Sequence, residues 1–235
     1  IPNNVNSPYP YSESGEFGPS SGFILEQLTT LSFLGAVTSS ARLMTAVMVL
    51  PHRNPIHTAK ILATIDVLTG GRLIIGCGVG WMREEFEVIG APPFDERGSV
   101  SDEYIRAFKE LWTSDNPTFQ GQYCSFKDIL FEPKPVQKPY PPIWIGGESP
   151  SALRRAARLG NGWLPLSLNP KYPLDTIERL KKHISLLHRY AEENGRDPSD
   201  IDIGYGVELN GGSEKHILSG QRRFFTGSSQ QIADD

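Results

Sequence analysis

Apolar runs of strand length alternate with runs of helical period along nearly the whole chain, and this alternation constrains the fold more than any other feature. The spacing predicts a helix over 23–37, with Ile24, Leu28, Leu31 and Leu34 as its apolar stripe. A strand over 42–50 follows, stopped by Pro51 and a turn around Asn54-Pro55. A helix over 58–68 closes at Gly70-Gly71, and a strand over 72–80 comes next. Further on are a short helix over 84–89 and a helix over 101–112, whose Asp102 and Glu103 suit a helix N-terminus. Strands over 142–147, 162–166 and 201–209 alternate with helices over 149–159 and 174–194. Strands and helices in this order mean parallel βα units.

Five such strands fall three short of the eight in a closed parallel barrel. A barrel therefore predicts two strands before Ile1 and one after Asp235; an open doubly wound sheet of five or six strands is the alternative. Residues 1–22 read as a long loop rich in Pro, Ser, Asn and Gly, and Ser228 reads as the N-cap of a final helix. The region near 117–140 carries most of the six prolines found between 117 and 142, together with short aromatic strands, which predicts a hairpin inserted into one domain spanning 1–235.

Length and composition are those of a globular α/β domain: 235 residues, 38% hydrophobic and 21% charged. A net charge of −4 gives no footprint for nucleic acid or an anionic membrane. No apolar run approaches the roughly 20 residues that span a bilayer, so a cytoplasmic protein without membrane partners is expected. Cys77 and Cys124 are too isolated for a metal-ligand pattern and read as free, buried thiols, and the five histidines form no ligand cluster, so no metal is expected.

The strand over 72–80 is the cofactor-site candidate, because Gly76, Gly78 and Gly80 are spaced two apart at its end. A flat ligand lying over the strand end would explain three missing side chains; a kinked, tightly packed strand explains them equally. At the end of strand 142–147, Gly146, Gly147, Glu148 and Ser149 lead straight into a helix, where free backbone N–H groups could face a phosphate, or Ser149 could be a plain N-cap. Small residues around Thr45, Ala46 and Val47 would let a planar ring approach the backbone. Arg53 and Asn54 could bind a polar group, although a turn is the simpler reading; His52 could serve as an acid or base, although a solvent-facing position is the simpler reading. Trp81, Trp144 and Trp163 could each wall a flat ligand, although core packing is the simpler reading of Trp144, inside its strand. Dinucleotide, P-loop and α/β-hydrolase motifs are all missing.

Through several of these segments the chain resembles the bacterial luciferase-like flavin and deazaflavin family, and within it the coenzyme F420-dependent oxidoreductases. The resemblance rests on Tyr9-Pro10-Tyr11 with Gly15-Glu16-Phe17, on Val49-Leu50-Pro51-His52-Arg53-Asn54-Pro55, and on Leu68-Thr69-Gly70-Gly71-Arg72-Leu73. It continues through Gly78-Val79-Gly80-Trp81-Met82-Arg83-Glu84-Glu85-Phe86 and Pro141-Pro142-Ile143-Trp144-Ile145-Gly146-Gly147, and resumes at Phe225-Thr226-Gly227.

The resemblance implies an incomplete (β/α)8 TIM barrel with the cofactor ring over the strand ends. It implies a non-proline cis peptide at Ala46-Val47 and a phosphate-binding turn over Gly146, Gly147, Glu148 and Ser149. Cofactor contacts are then expected from Ala46, Val47, Gly78, Val79, Gly80 and Trp81. Trp81 stands where the sugar-phosphate dehydrogenases of the family carry a catalytic glutamate, and no general acid or base is assignable. Val79 stands where the luciferase branch has a phosphate-binding arginine, which tilts the cofactor towards F420 and away from FMN. The implied activity is hydride transfer between F420 and a small organic substrate. An FMN-dependent monooxygenase and a non-catalytic deazaflavin carrier or sensor are the alternatives, and a homodimer is expected from relatives.

Overall fold

The computed structural model describes residue 2 and residues 5–17, 23–207, 210–211, 220 and 222–234. The chain divides into two compact units, Ile1–Tyr9 with Phe17–Trp144, and Pro10–Glu16 with Ile145–Asp235. Parallel strands connected through helices run through both, as the alternation requires. His216 and the end of the strand expected over 201–209 lie outside the described residues.

In the first unit, α1 (Gln27–Val37) starts four residues later than its apolar stripe suggested. The Glu26 carboxylate accepts the Leu28 and Thr29 amides and so caps the helix there, leaving Phe23, Ile24 and Leu25 exposed outside it. The expected strand over 42–50 is broken into β1 (Leu43–Met44) and β2 (Met48–Val49), and a 3-10 turn over Leu50–His52 follows. Asn54 and Pro55 do not make a free turn. Asn54 accepts the His57 amide and Pro55 is the first residue of α2 (Pro55–Leu68), where its missing N–H costs nothing. Next come β3 (Leu73–Gly78), buried throughout, α3 (Arg83–Ile89) and α4 (Arg97–Thr113). β4 (Phe119–Gln120) and β5 (Ser125–Phe126) pair antiparallel as a short hairpin. β6 (Ile143–Gly146) begins in this unit, where the Ile75 amide donates to the Pro142 carbonyl at 2.8 Å.

The core of this unit lies between β3 and the inner faces of α2 and α4, with Ile75, Leu62, Ile65, Ile105, Phe108 and Trp112 all essentially inaccessible. Trp112 satisfies its indole N–H on the Ala59 carbonyl of α2 at 3.1 Å, so the two helices are joined by a polar bond as well as by packing.

α4 begins four residues before the expected 101, which places Asp102 and Glu103 in its body and not at its N-terminus. Glu103 is buried, and its carboxylate accepts the amides of Gln122, Tyr123 and Cys124 at 2.7–2.9 Å. It therefore does the work of a turn clamp, tying the hairpin loop to α4. Gly121 is required beside it, because a Cβ there would lie 2.3 Å from the carboxylate.

The second unit holds the end of β6, then α5 (Pro150–Leu159), β7 (Gly162–Leu164), α6 (Ile177–Glu193) and β8 (Asp202–Ile203), with β7 and β8 parallel. Thr176 caps α6, so the helix starts three residues after the expected Leu174. β8 is shorter than expected, and a single parallel bridge between Leu166 and Gly206 extends its pairing with the β7 segment. β9 (Asn210–Gly211) and β10 (Thr226–Gly227) form a small parallel pair, and Ser228 caps α7 (Ser229–Ala233) through a capping box with Gln231, as the sequence indicated. Leu153, Ala156, Trp163, Leu187 and Ala191 fill the core of this unit, and Arg196 closes the end of α5 on the carbonyls of Ala157 and Gly160 at 2.8 Å.

Removing the Glu103 carboxylate takes the acceptor from three amides, of which the Cys124 bond is buried. Glu103→Ala is expected to cost roughly 2–4 kcal/mol in urea denaturation, and Glu103→Gln, which keeps one acceptor oxygen, about half as much.

Candidate functional site

The register on the two sides of the strand break locates the centre of the site. Leu43 and Met44 pair with Leu73 and Ile74, an offset of 30, whereas Met48 and Val49 pair with Cys77 and Gly78, an offset of 29. Three residues, 45–47, therefore face only two, 75–76, and one residue is extruded as a bulge. The Ala46-Val47 peptide within it is cis, where the family resemblance placed it. Thr45 anchors the bulge from inside, its hydroxyl donating to the Gly76 carbonyl at 2.8 Å in a buried bond.

The glycines of β3 are explained by this packing. A Cβ on Gly76 would lie 1.8 Å from the Thr45 carbonyl oxygen, one on Gly78 2.6 Å from Val47 Cγ2, and one on Gly80 2.7 Å from the Phe86 ring. Of the two readings left open by the sequence, the tightly packed strand accounts for the missing side chains. The glycines make room for the neighbouring backbone, and the bulge, with Ala46 exposed, is what they present. Gly80 also has φ +88°, a conformation suited to glycine. Arg97 donates to its carbonyl at 3.2 Å, which fixes the chain where it passes into the half-buried Trp81. Val79 is half-buried between them.

A cavity of about 330 Å³ opens beside the bulge, lined by Met44, Thr45, Ala46 and Val47 and by Gln27, Leu31 and Leu34 of α1. Gln27 was not singled out in the sequence. Its Oε1 is buried with no hydrogen-bond partner among the described residues, and so is the indole N–H of Trp144. The bond from Ile75 to Pro142 sets Ile75 opposite Ile143 in a parallel ladder, which puts Gly76 opposite Trp144 on the same face. Trp144 is thus only half-buried and carries an orphaned donor, contrary to its reading as core. Nothing in the sequence distinguishes it from a core tryptophan except alternation, which puts it on the face opposite Ile143 and Ile145.

His52 also departs from expectation. It is half-buried rather than solvent-facing, its ring stands edge-on to Phe86 at 4.7 Å, and Nε2 is a buried atom without a hydrogen-bond partner among the described residues. Burial, with the adjacent Arg53 charge, pulls its pKa down to about 4. Arg53 itself is engaged by Glu26 at 2.6 Å. Burial pushes the Glu26 carboxyl up, but the Thr29 and Leu28 amides and Arg53 outweigh it and bring the value down to about 2.

In the second unit, Gly146 and Gly147 end β6, with Gly147 at φ +107°. The Ser149 hydroxyl accepts the Ala152 amide at 3.2 Å, so Ser149 is the N-cap of α5, and Pro150 removes one of the free N–H groups on which the anion reading relied. The Glu148 side chain is buried, accepting the Leu166 amide at 2.8 Å and the Asn169 side-chain amide at 2.7 Å. Burial raises its pKa against those bonds and one from Tyr11. Glu148 acts here as a strut for the loop after β7. Trp163 is fully buried, and its indole N–H donates to the Gly147 carbonyl at 2.9 Å, fixing the turn.

Of the expected residues, Ala46 and Val47 lie in the bulge opposite the middle of β3, Gly78 ends that strand and Val79, Gly80 and Trp81 follow it, while the other four form the turn of the second unit. Among the described residues there is no group of three or more potential metal ligands, and no helix long and apolar enough to cross a membrane.

Comparison with known proteins agrees with this architecture. Residues 9–214 match the model of the luciferase-like monooxygenases, and the chain belongs to that family. Over 172 residues, 72% of this chain and 45% of the relative, it is 37% identical to an FMNH2-dependent dimethylsulfone monooxygenase of Pseudomonas putida. The chain thus spans about half the length of that relative. The crystal structure of a monooxygenase, RslO1, from Streptomyces bottropensis superposes with a TM-score of 0.67 at 28% identity, over 79% of this chain and 54% of that one. An F420-dependent secondary alcohol dehydrogenase, solved with an F420-acetone adduct, shares the fold with a TM-score of 0.66 at 23% identity, over 77% and 53% of the two chains.

Two outcomes follow. Gly76→Ala drives a methyl group into a main-chain oxygen that cannot swing aside, and is expected to cost about 3 kcal/mol in denaturant unfolding. Between pH 6.5 and about 4, the unfolded chain protonates His52 while the folded chain does not, so stability falls as the pH falls through that window. Urea midpoints measured from about pH 7 to about pH 5 should decline in the wild type and flatten in His52→Phe.

Proposed function

We propose that the protein is an oxidoreductase that holds a tricyclic flavin-type ring against the Ala46-Val47 bulge and acts on a small organic substrate. The observation that carries this reading is the bulge itself, extruded by one residue, anchored by Thr45 and bordered by a cavity of about 330 Å³. The residues present fit such a ring. The bulge offers a flat, small-residue backbone surface, while Trp144 N–H and Gln27 Oε1 are a buried donor and acceptor in want of partners. When bound, a reduced deazaflavin supplies a hydride, and a reduced flavin can also activate oxygen.

The chain's own part is positional. Thr45 and Gly76 keep the bulge rigid, Met44 and Leu31 exclude water from one side, and Trp144 and Gln27 offer hydrogen bonds to a neutral polar edge. The turn at Gly146, Gly147 and Ser149 is proposed as an anion contact through backbone N–H groups, with Glu148 in support. Coenzyme F420 is the proposed cofactor, because aliphatic Val79 stands where the resemblance puts an arginine for the flavin phosphate. FMN is the second reading, favoured by the 37% identity to an FMNH2-dependent enzyme. A homodimer is proposed to cover the apolar side chains exposed on α1 and α2, Phe33, Val37 and Leu68 among them.

Parallel titrations with F420 and FMN, read by tryptophan quenching and cofactor absorbance with sedimentation of the same samples, test these assignments. Selective F420 binding is expected, with Val79→Arg improving FMN affinity roughly tenfold by adding a charged phosphate partner. Preference for FMN in the wild type would transfer the protein to the flavin monooxygenases, and binding of neither would overturn the proposal.

A further inference from the structure

Beyond the bulge, the chain after β3 runs out into Trp81 and two further aromatic rings, Tyr9 and Phe17, to which the cofactor reading gives no role. Trp81 lies 5.1 Å from Tyr9, at 65° to it, and 5.6 Å from Phe17. Tyr9 and Phe17 stand edge-to-face at 5.1 Å, closing the triangle. These are favourable aromatic geometries, yet the cluster is not core: Phe17 is 39% exposed, and Tyr9 and Trp81 are only half-buried. It stands at the carboxyl end of the strand, the end at which parallel α/β proteins bind their ligands.

The cluster is also held in place by bonds between the loop that bears Tyr9 and the start of α3. Glu84, in the first turn of α3, accepts the Asn6 amide at 2.7 Å, the Ser7 amide at 3.1 Å and the Ser7 hydroxyl at 2.7 Å. Ser7 in turn accepts the Arg83 amide at 3.1 Å, supplying the side-chain cap that Met82 cannot. The loop bearing Tyr9 is thus pinned to the helix that begins two residues after Trp81. From the other side, Arg97 holds the Gly80 carbonyl. Rings fixed in this way lose little entropy on binding, as a recognition surface requires.

We propose that Tyr9, Phe17 and Trp81 form the substrate wall of the site, and that the substrate presents a neutral, apolar face, aromatic or methyl-bearing, and no carboxylate, sulfonate or phosphate at that face. Ring faces carry the negative part of the aromatic quadrupole, so an anionic group set against them is repelled while an apolar one is not. This inference rests on the oxidoreductase reading for its substrate, but it is tested apart from the cofactor.

The test uses the full chain, alone and saturated with F420 or with FMN, titrated with benzyl alcohol and with benzoate by ligand-observed NMR. The wild type should bind benzyl alcohol at least about tenfold more tightly than benzoate. Trp81→Ala should weaken benzyl alcohol roughly tenfold and Trp81→Phe much less, as loss and retention of a ring contact would give. Phe17→Ala, at an exposed position that unfolding does not threaten, should weaken it about threefold. Equal binding of the two probes, no binding of benzyl alcohol in any loading state, or indifference to both Trp81→Ala and Phe17→Ala would overturn the wall. Trp81-dependent binding in a protein that takes up neither cofactor would keep the wall and dispose of the cofactor reading.

Discussion

The contact on which the first unit depends is the approach of the Thr45 carbonyl to Gly76. Where a Cβ on that residue would stand, a main-chain oxygen already sits at 1.8 Å, so no other amino acid fits without moving one strand off the other. Thr45 completes the lock from its own side by donating its hydroxyl to the Gly76 carbonyl. These two contacts let the strand lose register by one residue and continue pairing as β2, with Ala46 left on the surface of the bulge. Gly78, against Val47, continues the same accommodation.

Much of this was legible in the sequence, for reasons that separate by residue. The order of elements followed from apolar periodicity, and Gly76, Gly78 and Gly80 marked the strand that mattered. What they did there was open, because a missing side chain looks the same in a sequence whether a ligand or a neighbouring backbone fills its place. The starts of α1 and α2 were misplaced, and the place of Glu103 was misread, for one shared reason. Glu26, Asn54 and Glu103 act through hydrogen bonds to backbone amides, and a composition window registers only polarity. Glu103 is the sharpest case: its amide partners lie 19–21 residues away, beyond the reach of any local rule.

The second unit shows a candidate turn whose side chains are already occupied. Gly146 to Ser149 has the glycine-rich, helix-leading form of an anion site, but Ser149 is committed to capping α5 and Glu148 to the loop at Leu166 and Asn169. A helix N-terminus attracts negative charge through its unpaired amides. Each amide taken by a cap, and the one removed by Pro150, lowers what remains for a ligand. The anion reading therefore rests on the glycine backbone of this turn and not on its side chains.

The pattern of satisfied and unsatisfied groups narrows the chemistry further. The carboxylates described above are saturated: Glu84 by residues 6 and 7, Glu103 by the hairpin, Glu148 by the loop after β7. Among the described residues, the buried side-chain atoms left wanting in the first unit are neutral: an amide oxygen on Gln27, an indole N–H on Trp144 and an imidazole nitrogen on His52 that stays uncharged at neutral pH. A buried donor or acceptor without a partner costs about 1–3 kcal/mol, and a fold that saturates its carboxylates so fully has the means to saturate these as well. Neutral groups of this kind suit the polar edge of an uncharged ring better than a phosphate or a metal ion, either of which needs charge to offset its own desolvation.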